Sequence, residues 1–132
     1  MTNPYHVVVW MDHKEAKILA LDGNTHFARI ENPSRDERLH HRAGSVGVGH
    51  RHENAQYLRQ VADAIASAHE IVVTGPALAK VEFVDWMTRH APQTASRVLG
   101  VETLDHPTNG ELMAFAKRFF RAKDRMRTQL QP

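Results

Sequence analysis

The chain has 132 residues, with 17 Lys and Arg against 15 Asp and Glu, a formal net charge of +2 and no cysteine. This length suits one domain with a single core, and the lack of cysteine excludes disulfides and thiolate metal sites. The N-terminal residues lack the pattern of a signal peptide, and no apolar run approaches the roughly 20 residues of a membrane helix. We therefore expect a single cytoplasmic domain over residues 1–132 that makes no contact with membranes.

Three short strands are predicted at the start of the chain. The apolar run His6–Asp12 has strand length, Ala16–Leu21 resumes it after a polar break, and residues 25–31 alternate polar and apolar side chains. The sequence Asp22-Gly-Asn24 is a strong turn signal. Short runs joined by tight turns predict an antiparallel meander.

Helices alternate with strands in the second half of the chain. Helices are predicted over residues 53–68, 77–90 and 110–126, and strands over 70–74 and 97–104. The side chains expected to face the core are Leu58, Val61, Ala62 and Ile65, then Leu78, Val81, Val84 and Met87, then Leu112, Phe115, Ala116 and Phe119. The predicted fold class is α/β, a ribonuclease H-like mixed five-stranded sheet in which two parallel strands join the antiparallel meander, with three flanking helices.

The segment 32–52 has no periodicity and many charges and glycines, which predicts a long basic loop. Such a loop could follow a phosphate backbone. A solvated loop and a Zn or Ni site built from its histidines are the alternatives. Neither a cysteine nor a carboxylate pattern completes a metal site, so we predict no metal and no cofactor. The candidate nucleic-acid contacts are Arg35, Arg38, His40, His41, Arg42, Gly44, Ser45, Gly47, Gly49, His50, Arg51 and His52.

A second basic region is the C-terminal helix and tail, residues 111–132. Six basic residues and one acidic residue occupy Lys117–Arg127, which exceeds what the helix dipole alone favours. Lys117, Arg118 and Arg121, with Arg125, could extend the nucleic-acid footprint. The stretch Thr74–Lys80 joins a strand to a helix N-terminus, and this geometry can hold an anion. Lys80 is therefore a further candidate contact. The alternative is that Gly75 and Pro76 only end the strand before the helix begins.

Two-metal nuclease chemistry is not predicted. That chemistry needs several carboxylates around the ions, and although Asp12 and Glu53 stand in plausible places, the end of the fourth strand supplies none. Asp12 is expected to accept hydrogen bonds in its turn, and Glu53 to favour a helix N-terminus. Trp10 and Trp86 are expected in the core.

The arrangement resembles the middle domain of the archaeal and eukaryotic class 1 peptide-chain release factors and their relative Pelota, from Val7 to about Phe120. The landmarks are the opening hairpin with Asp12, the basic glycine-containing loop, the stretch Val72–Phe83 with its Gly-Pro-x-x-x-Lys-x-x-Phe pattern, and the helix start at Asn109-Gly-Glu111. In release factors the loop carries a Gly-Gly-Gln tripeptide that promotes hydrolysis of peptidyl-tRNA. Here Ala43–His50 occupies that place without a glycine pair or a glutamine.

The resemblance implies a stand-alone, ribosome- or tRNA-associated translation factor of the rescue or hibernation kind, without catalytic residues of its own. Its partner would be the ribosome or tRNA, bound through the His/Arg/Gly-rich loop. One alternative is a hydrolase of peptidyl-tRNA or RNA that uses His40 and His41 as general acid and base. A second is an adaptor domain that binds a protein partner.

Overall fold

In the computed structural model of the protein, the described residues are 5–22, 26–33 and 46–130, with side chains over 5–22, 26–33 and 54–126. The elements in chain order are β1 His6–Met11, β2 Glu15–Ala20, β3 His26–Glu31, α1 Val46–Ala64, β4 Glu70–Gly75, α2 Ala79–His90, α3 Pro92–Ala95, β5 Val98–Thr103 and α4 Asn109–Leu130.

The five strands form one mixed sheet in the order β3-β2-β1-β4-β5. β1 pairs antiparallel with β2, and β2 antiparallel with β3, while β4 lies parallel to both β1 and β5. The predicted meander with two added parallel strands is therefore confirmed. β1 and β4 are central and buried on both faces, which explains why their sequences read as continuous apolar runs.

Each face of the sheet carries its own hydrophobic cluster. Alternate side chains of β1 point to opposite faces, so Val7 and Val9 join the cluster under α1 and α2, while Val8 and Trp10 join the cluster under α4. The four side chains expected in the core from the first predicted helix are all buried, as are Trp10 and Trp86. The predicted placing of the two tryptophans is thus confirmed.

The start of the first helix and the number of helices differ from the sequence prediction. α1 begins at Val46, seven residues before Glu53, so the second part of the predicted loop 32–52 has helical backbone. This part contains glycine and charged residues and has no apolar side chains at helical spacing, so the sequence pattern did not predict a helix there. A fourth helix, the single turn α3, lies between α2 and β5, where only three helices were predicted.

The predicted inward face of α2 was wrong in part. Leu78 and Val81 are 64% and 50% exposed, whereas Phe83 and Met87 are fully buried. The predicted positions advance by three residues, and at 100° per residue nine positions separate Leu78 from Met87 by about 180°. The buried side of the helix instead follows a spacing of three and four residues and comprises Ala79, Lys80, Phe83, Trp86 and Met87.

The carboxyl end of the sheet, where β1, β4 and β5 finish, is held by hydrogen bonds to backbone carbonyls. The Trp10 indole N–H donates to the carbonyls of Leu104 and Asp105, at 3.1 and 2.9 Å. The Tyr57 hydroxyl donates to the Asp12 carbonyl at 2.9 Å. Burial, followed by the nearby negative charges of Asp12 and Glu15, raises the pKa of Tyr57 well above its usual value. The phenol therefore remains a donor.

The amino end, where the same strands begin, is held by ionisable side chains. Asp22 accepts the backbone N–H groups of Tyr5 and His6 at 2.8 and 2.6 Å, and its second oxygen lies 3.2 Å from His6 Nδ1. Burial acts to raise the pKa of Asp22, but the hydrogen bonds and the attraction from His6 together hold it below its usual value. Asp22 is thus a fixed anionic acceptor.

Candidate nucleic-acid interface

α4 is anchored at the carboxyl end of the sheet by a capping box. The Thr108 hydroxyl accepts the Glu111 backbone N–H at 3.1 Å, and the Glu111 carboxylate accepts the Thr108 N–H at 2.8 Å. This reciprocal pair satisfies donors that a helix N-terminus leaves free. From this point the 22 residues of α4 extend about 33 Å at 1.5 Å per residue.

One side of α4 packs on the sheet. Leu112, Ala116 and Phe120 are 1%, 0% and 4% exposed and contact the cluster that contains Trp10. Phe115 and Phe119, also predicted to face inward, are partly buried against the same cluster. The spacing of four residues keeps the three buried side chains on one face, which fixes the rotation of the helix.

The opposite side of α4 is a cationic stripe, formed by Lys117, Arg118, Arg121 and Arg125. At 100° per residue these four positions fall within about 100° of one another, on the side away from Ala116 and Leu112. All four side chains are exposed. The sequence-predicted contacts Lys117, Arg118 and Arg121 therefore lie together on an accessible surface.

Among the described side chains, no acidic group neutralises this stripe. Over the part of the chain whose side chains are described, none of its four cations makes an ion pair. Lys117, Arg121 and Arg125 are successive neighbours at a spacing of four residues. Like charges at that spacing destabilise a helix by about 0.2–0.5 kcal/mol per pair. A bound polyanion would remove that repulsion, so the arrangement suits phosphate contact.

Lys80 does not belong to the exposed basic surface. It is 7% exposed, and its ammonium donates a hydrogen bond to the Ala77 carbonyl. It therefore satisfies a backbone acceptor at the start of α2, and its stem packs beside Ala79 on the buried side of that helix. This burial favours the alternative interpretation of Lys80, as part of an ordinary strand–helix junction, and the anion contact stays a prediction.

The basic loop falls mostly outside the described residues, and so do the predicted contacts Arg35, Arg38, His40, His41, Arg42, Gly44 and Ser45. The remaining candidates of this region, Gly47, Gly49, His50, Arg51 and His52, lie in the first turns of α1 and have helical backbone rather than loop. The side chain of Glu53 is likewise outside the described set. The proposed chemistry of His40 and His41 stays a prediction.

Within the described residues, the start of α1 and the stripe on α4 lie apart. α1 packs on the face opposite to α4. The first turns of α1 also lie at the carboxyl end of the sheet, because Asn54 and Tyr57 contact Asn32 and Asp12 there. The stripe lies toward the amino end, where Phe120 contacts His6. The sequence predicted the residues of the stripe but not this separation.

Asp12 has the structural role that its position predicted. Its Oδ1 accepts the backbone N–H groups of Lys14 and Glu15 at 2.8 and 2.9 Å, which closes the β1–β2 turn. Oδ2 lies 3.9 Å from His106 Nε2.

Among the helices of the described residues, none is long and apolar enough to cross a membrane.

Comparison with solved structures places this fold among proteins of the Pelota and release-factor type. The Pelota protein of Thermoplasma acidophilum matches with a TM-score of 0.60 and 17% identity, over 87% of this chain and 32% of that chain. Pelota of Archaeoglobus fulgidus matches with a TM-score of 0.60 and 18% identity, over 89% and 32%. The archaeal translation termination factor aRF1 matches with a TM-score of 0.55 and 13% identity, over 95% of this chain and 40% of that chain.

The fold is ribonuclease H-like, as the sheet order and these neighbours agree. The chain spans about a third to two fifths of the length of these proteins. No protein-family model matches the sequence. No curated protein matches it either. At identities of 17%, 18% and 13% the likeness concerns the backbone arrangement, and any function has to be argued from the side chains.

Proposed function

We propose that the protein is an RNA-binding factor of the translation apparatus that associates with the ribosome or tRNA and has no catalytic centre of its own. The observation that carries this proposal is the cationic stripe on α4, four exposed cations on one helix face that make no ion pair with any other described side chain. Lysine and arginine on such a face bind phosphates without reading sequence.

The fold supports the choice of partner. Proteins with this arrangement include the archaeal translation termination factor aRF1. A chain of similar fold with an open basic helix would suit a structured RNA, whose phosphates are spaced along a helical backbone. We propose that the basic residues of the segment 34–45 and of the start of α1 provide a second contact with the RNA.

The test is co-sedimentation of the purified protein with ribosomes at low and high salt. Arg118→Gln/Arg121→Gln removes two charges from the stripe, and Arg38→Ala/Arg42→Ala/Arg51→Ala neutralises the basic segment. Lys14→Gln/Arg89→Gln is the matched control, since it removes two exposed charges outside both regions. We expect salt-sensitive binding that the stripe variant loses and the control retains.

The outcomes separate the parts of the proposal. Loss of binding in the 38/42/51 variant alone would move the interface from α4 to the basic segment. Equal binding by the wild type, the stripe variant and the control would refute the role of the stripe. Absence of binding by the wild type at low salt would refute ribosome association altogether. Binding of tRNA in place of ribosomes, measured in parallel, would retain the RNA-binding role and narrow the partner.

A further inference from the structure

A group of metal-ligating side chains lies at the amino end of the sheet, apart from the cationic stripe. Ligand atoms of His6, Glu70 and Asp124 lie within 4.8 Å of one another. His6 begins β1, Glu70 begins β4, and the two are register partners in the parallel ladder. Asp124 comes from α4. Three elements that are far apart in sequence therefore bring one imidazole and two carboxylates within 4.8 Å of one another.

The Asp22 carboxylate fixes the orientation of the His6 ring through the ring nitrogen that does not face Glu70. Its Nδ1 lies 3.2 Å from Oδ1 of Asp22, and Oδ2 of that carboxylate already accepts the backbone N–H groups of Tyr5 and His6. An imidazole that binds a metal ion is neutral and has one N–H and one lone pair. In that form Nδ1 donates to the Asp22 carboxylate, and Nε2 presents its lone pair to Glu70. A carboxylate that orients a histidine in this way is the usual support of a metal-binding imidazole.

The atom that faces the cluster is buried and not aligned for a hydrogen bond. His6 Nε2 lies 3.2 Å from Glu70 Oε1, but the pair lacks hydrogen-bond geometry. A lone pair and a carboxylate oxygen repel each other at that distance unless a cation lies between them. Two ligands bound at about 2.1 Å to one ion are separated by about 3.0 Å in octahedral and 3.4 Å in tetrahedral geometry. The observed distance falls between these values.

We propose that His6, Glu70 and Asp124 bind one divalent transition-metal ion, for which Zn²⁺ is the best match. Imidazole nitrogen favours Zn²⁺ over Mg²⁺ or Ca²⁺, and carboxylate oxygens are ordinary Zn²⁺ ligands. Glu70 is 6% exposed and provides a fixed ligand, while the exposed Asp124 closes the site from the solvent side. Water completes the coordination.

The surroundings favour retention of such an ion. The Phe120 and Tyr5 rings lie 4.5 and 4.8 Å from the His6 ring, centroid to centroid, and limit the access of water to it. The ion would link α4 to the start of β1 and β4. It would therefore hold the helix that carries the cationic stripe, although the site itself requires no RNA and stands independently of the proposed function.

The test is titration of the metal-free full-length protein with Zn²⁺ by calorimetry, and with Co²⁺ by visible absorption, which reports the coordination sphere. We expect one ion per chain. His6→Gln and Asp124→Asn should each lower the affinity at least tenfold. Asp22→Asn, which changes the support of His6, should lower it by about 10–100-fold. Asp124 is exposed, so its substitution tests the site even if His6→Gln disturbs folding.

The controls address five of the nine other histidines of the chain. His106→Gln removes an exposed histidine that lies beside Asp12 and Asp105 at the opposite end of the sheet. His40→Gln/His41→Gln/His50→Gln/His52→Gln removes those of the basic region. Both should bind Zn²⁺ like the wild type. Loss of binding only in the fourfold variant, or unchanged affinity in Asp124→Asn, would overturn the site. No binding by the wild type would show that a proton, not a metal, lies between His6 and Glu70.

Discussion

The two ends of the sheet are closed by different chemistry. At the carboxyl end, Trp10 and Tyr57 donate to backbone carbonyls that lie beyond the strands. At the amino end, His6 lies between the carboxylates of Asp22 and Glu70. Neutral donors aimed at carbonyls fix a geometry, whereas ionisable groups in contact can also bind ions. We therefore expect substitutions at the carboxyl end to lower stability, and those at the amino end mainly to change binding.

The largest loss of stability is expected for Gly75→Ala at the carboxyl end. A Cβ on Gly75 would lie 2.1 Å from the Met11 carbonyl oxygen, a backbone atom that cannot move without breaking the β1–β4 pairing. We expect a loss of at least about 3 kcal/mol, measured by urea unfolding. Gly110→Ala is the control, because its nearest neighbour lies at 4.0 Å, and it should change stability by less than about 1 kcal/mol. Equal losses would contradict the close approach at Gly75.

Trp10→Phe should have the next largest effect. The substitution removes the donor to the Leu104 and Asp105 carbonyls and leaves space in the cluster under α4. We expect a loss of about 2–3 kcal/mol in the free energy of unfolding. The Phe119→Leu substitution, on a partly buried ring of the same cluster, should cost less. A Trp10→Phe protein as stable as the wild type would show that the two hydrogen bonds contribute nothing.

Tyr57→Phe should lower stability by about 1 kcal/mol at neutral pH, because it removes the hydrogen bond to the Asp12 carbonyl. The pKa of Tyr57 is raised in the folded state, so the unfolded chain loses its phenolic proton first. Stability is thus unaffected by this group below about pH 10 and falls as the pH rises further. Unfolding measured from pH 8 to 11 should show that additional decline in the wild type and not in the variant. Parallel pH curves would contradict the buried, protonated phenol.

The smallest effect on stability is expected for Asp22→Asn at the amino end. The Asp22 side chain is 41% exposed, and the amide oxygen can still accept a backbone N–H, so the loss should stay below about 1 kcal/mol. The same variant should lower Zn²⁺ affinity about 10–100-fold. Thermal unfolding and calorimetry on one preparation measure both. A large loss of stability with unchanged Zn²⁺ affinity would remove the contrast between the two ends.

The sequence predicted the sheet well, because local patterns determine its strands. The apolar runs of β1 and β4 and the turn signal in the sequence Asp22-Gly-Asn24 were enough to predict the order of the elements. The start of α1 was missed, since Gly47 and Gly49 carry no apolar period even though their backbone is helical. The burial of Lys80 was missed as well, because its partner is a carbonyl that only the folded turn brings near.

The candidate sites were predictable to different degrees. Lys117, Arg118 and Arg121 share one helix face, and helical periodicity alone places them together. The cluster of His6, Glu70 and Asp124 gave no sequence signal. It depends on the register between β1 and β4 and on the position of Asp124 of α4 beside them. Contacts between distant segments of this kind require the tertiary structure.

The most direct test of the central claim is the salt dependence of RNA binding by the α4 stripe. The affinity of fluorescently labelled tRNA or ribosomal RNA is measured from 50 to 300 mM salt for the wild type, Arg118→Gln/Arg121→Gln and Lys14→Gln/Arg89→Gln. We predict that the stripe variant binds more weakly, with the slope of log affinity against log salt reduced by roughly one to two, while the control keeps the wild-type slope. Identical slopes for all three proteins would contradict a role of the stripe in binding phosphates.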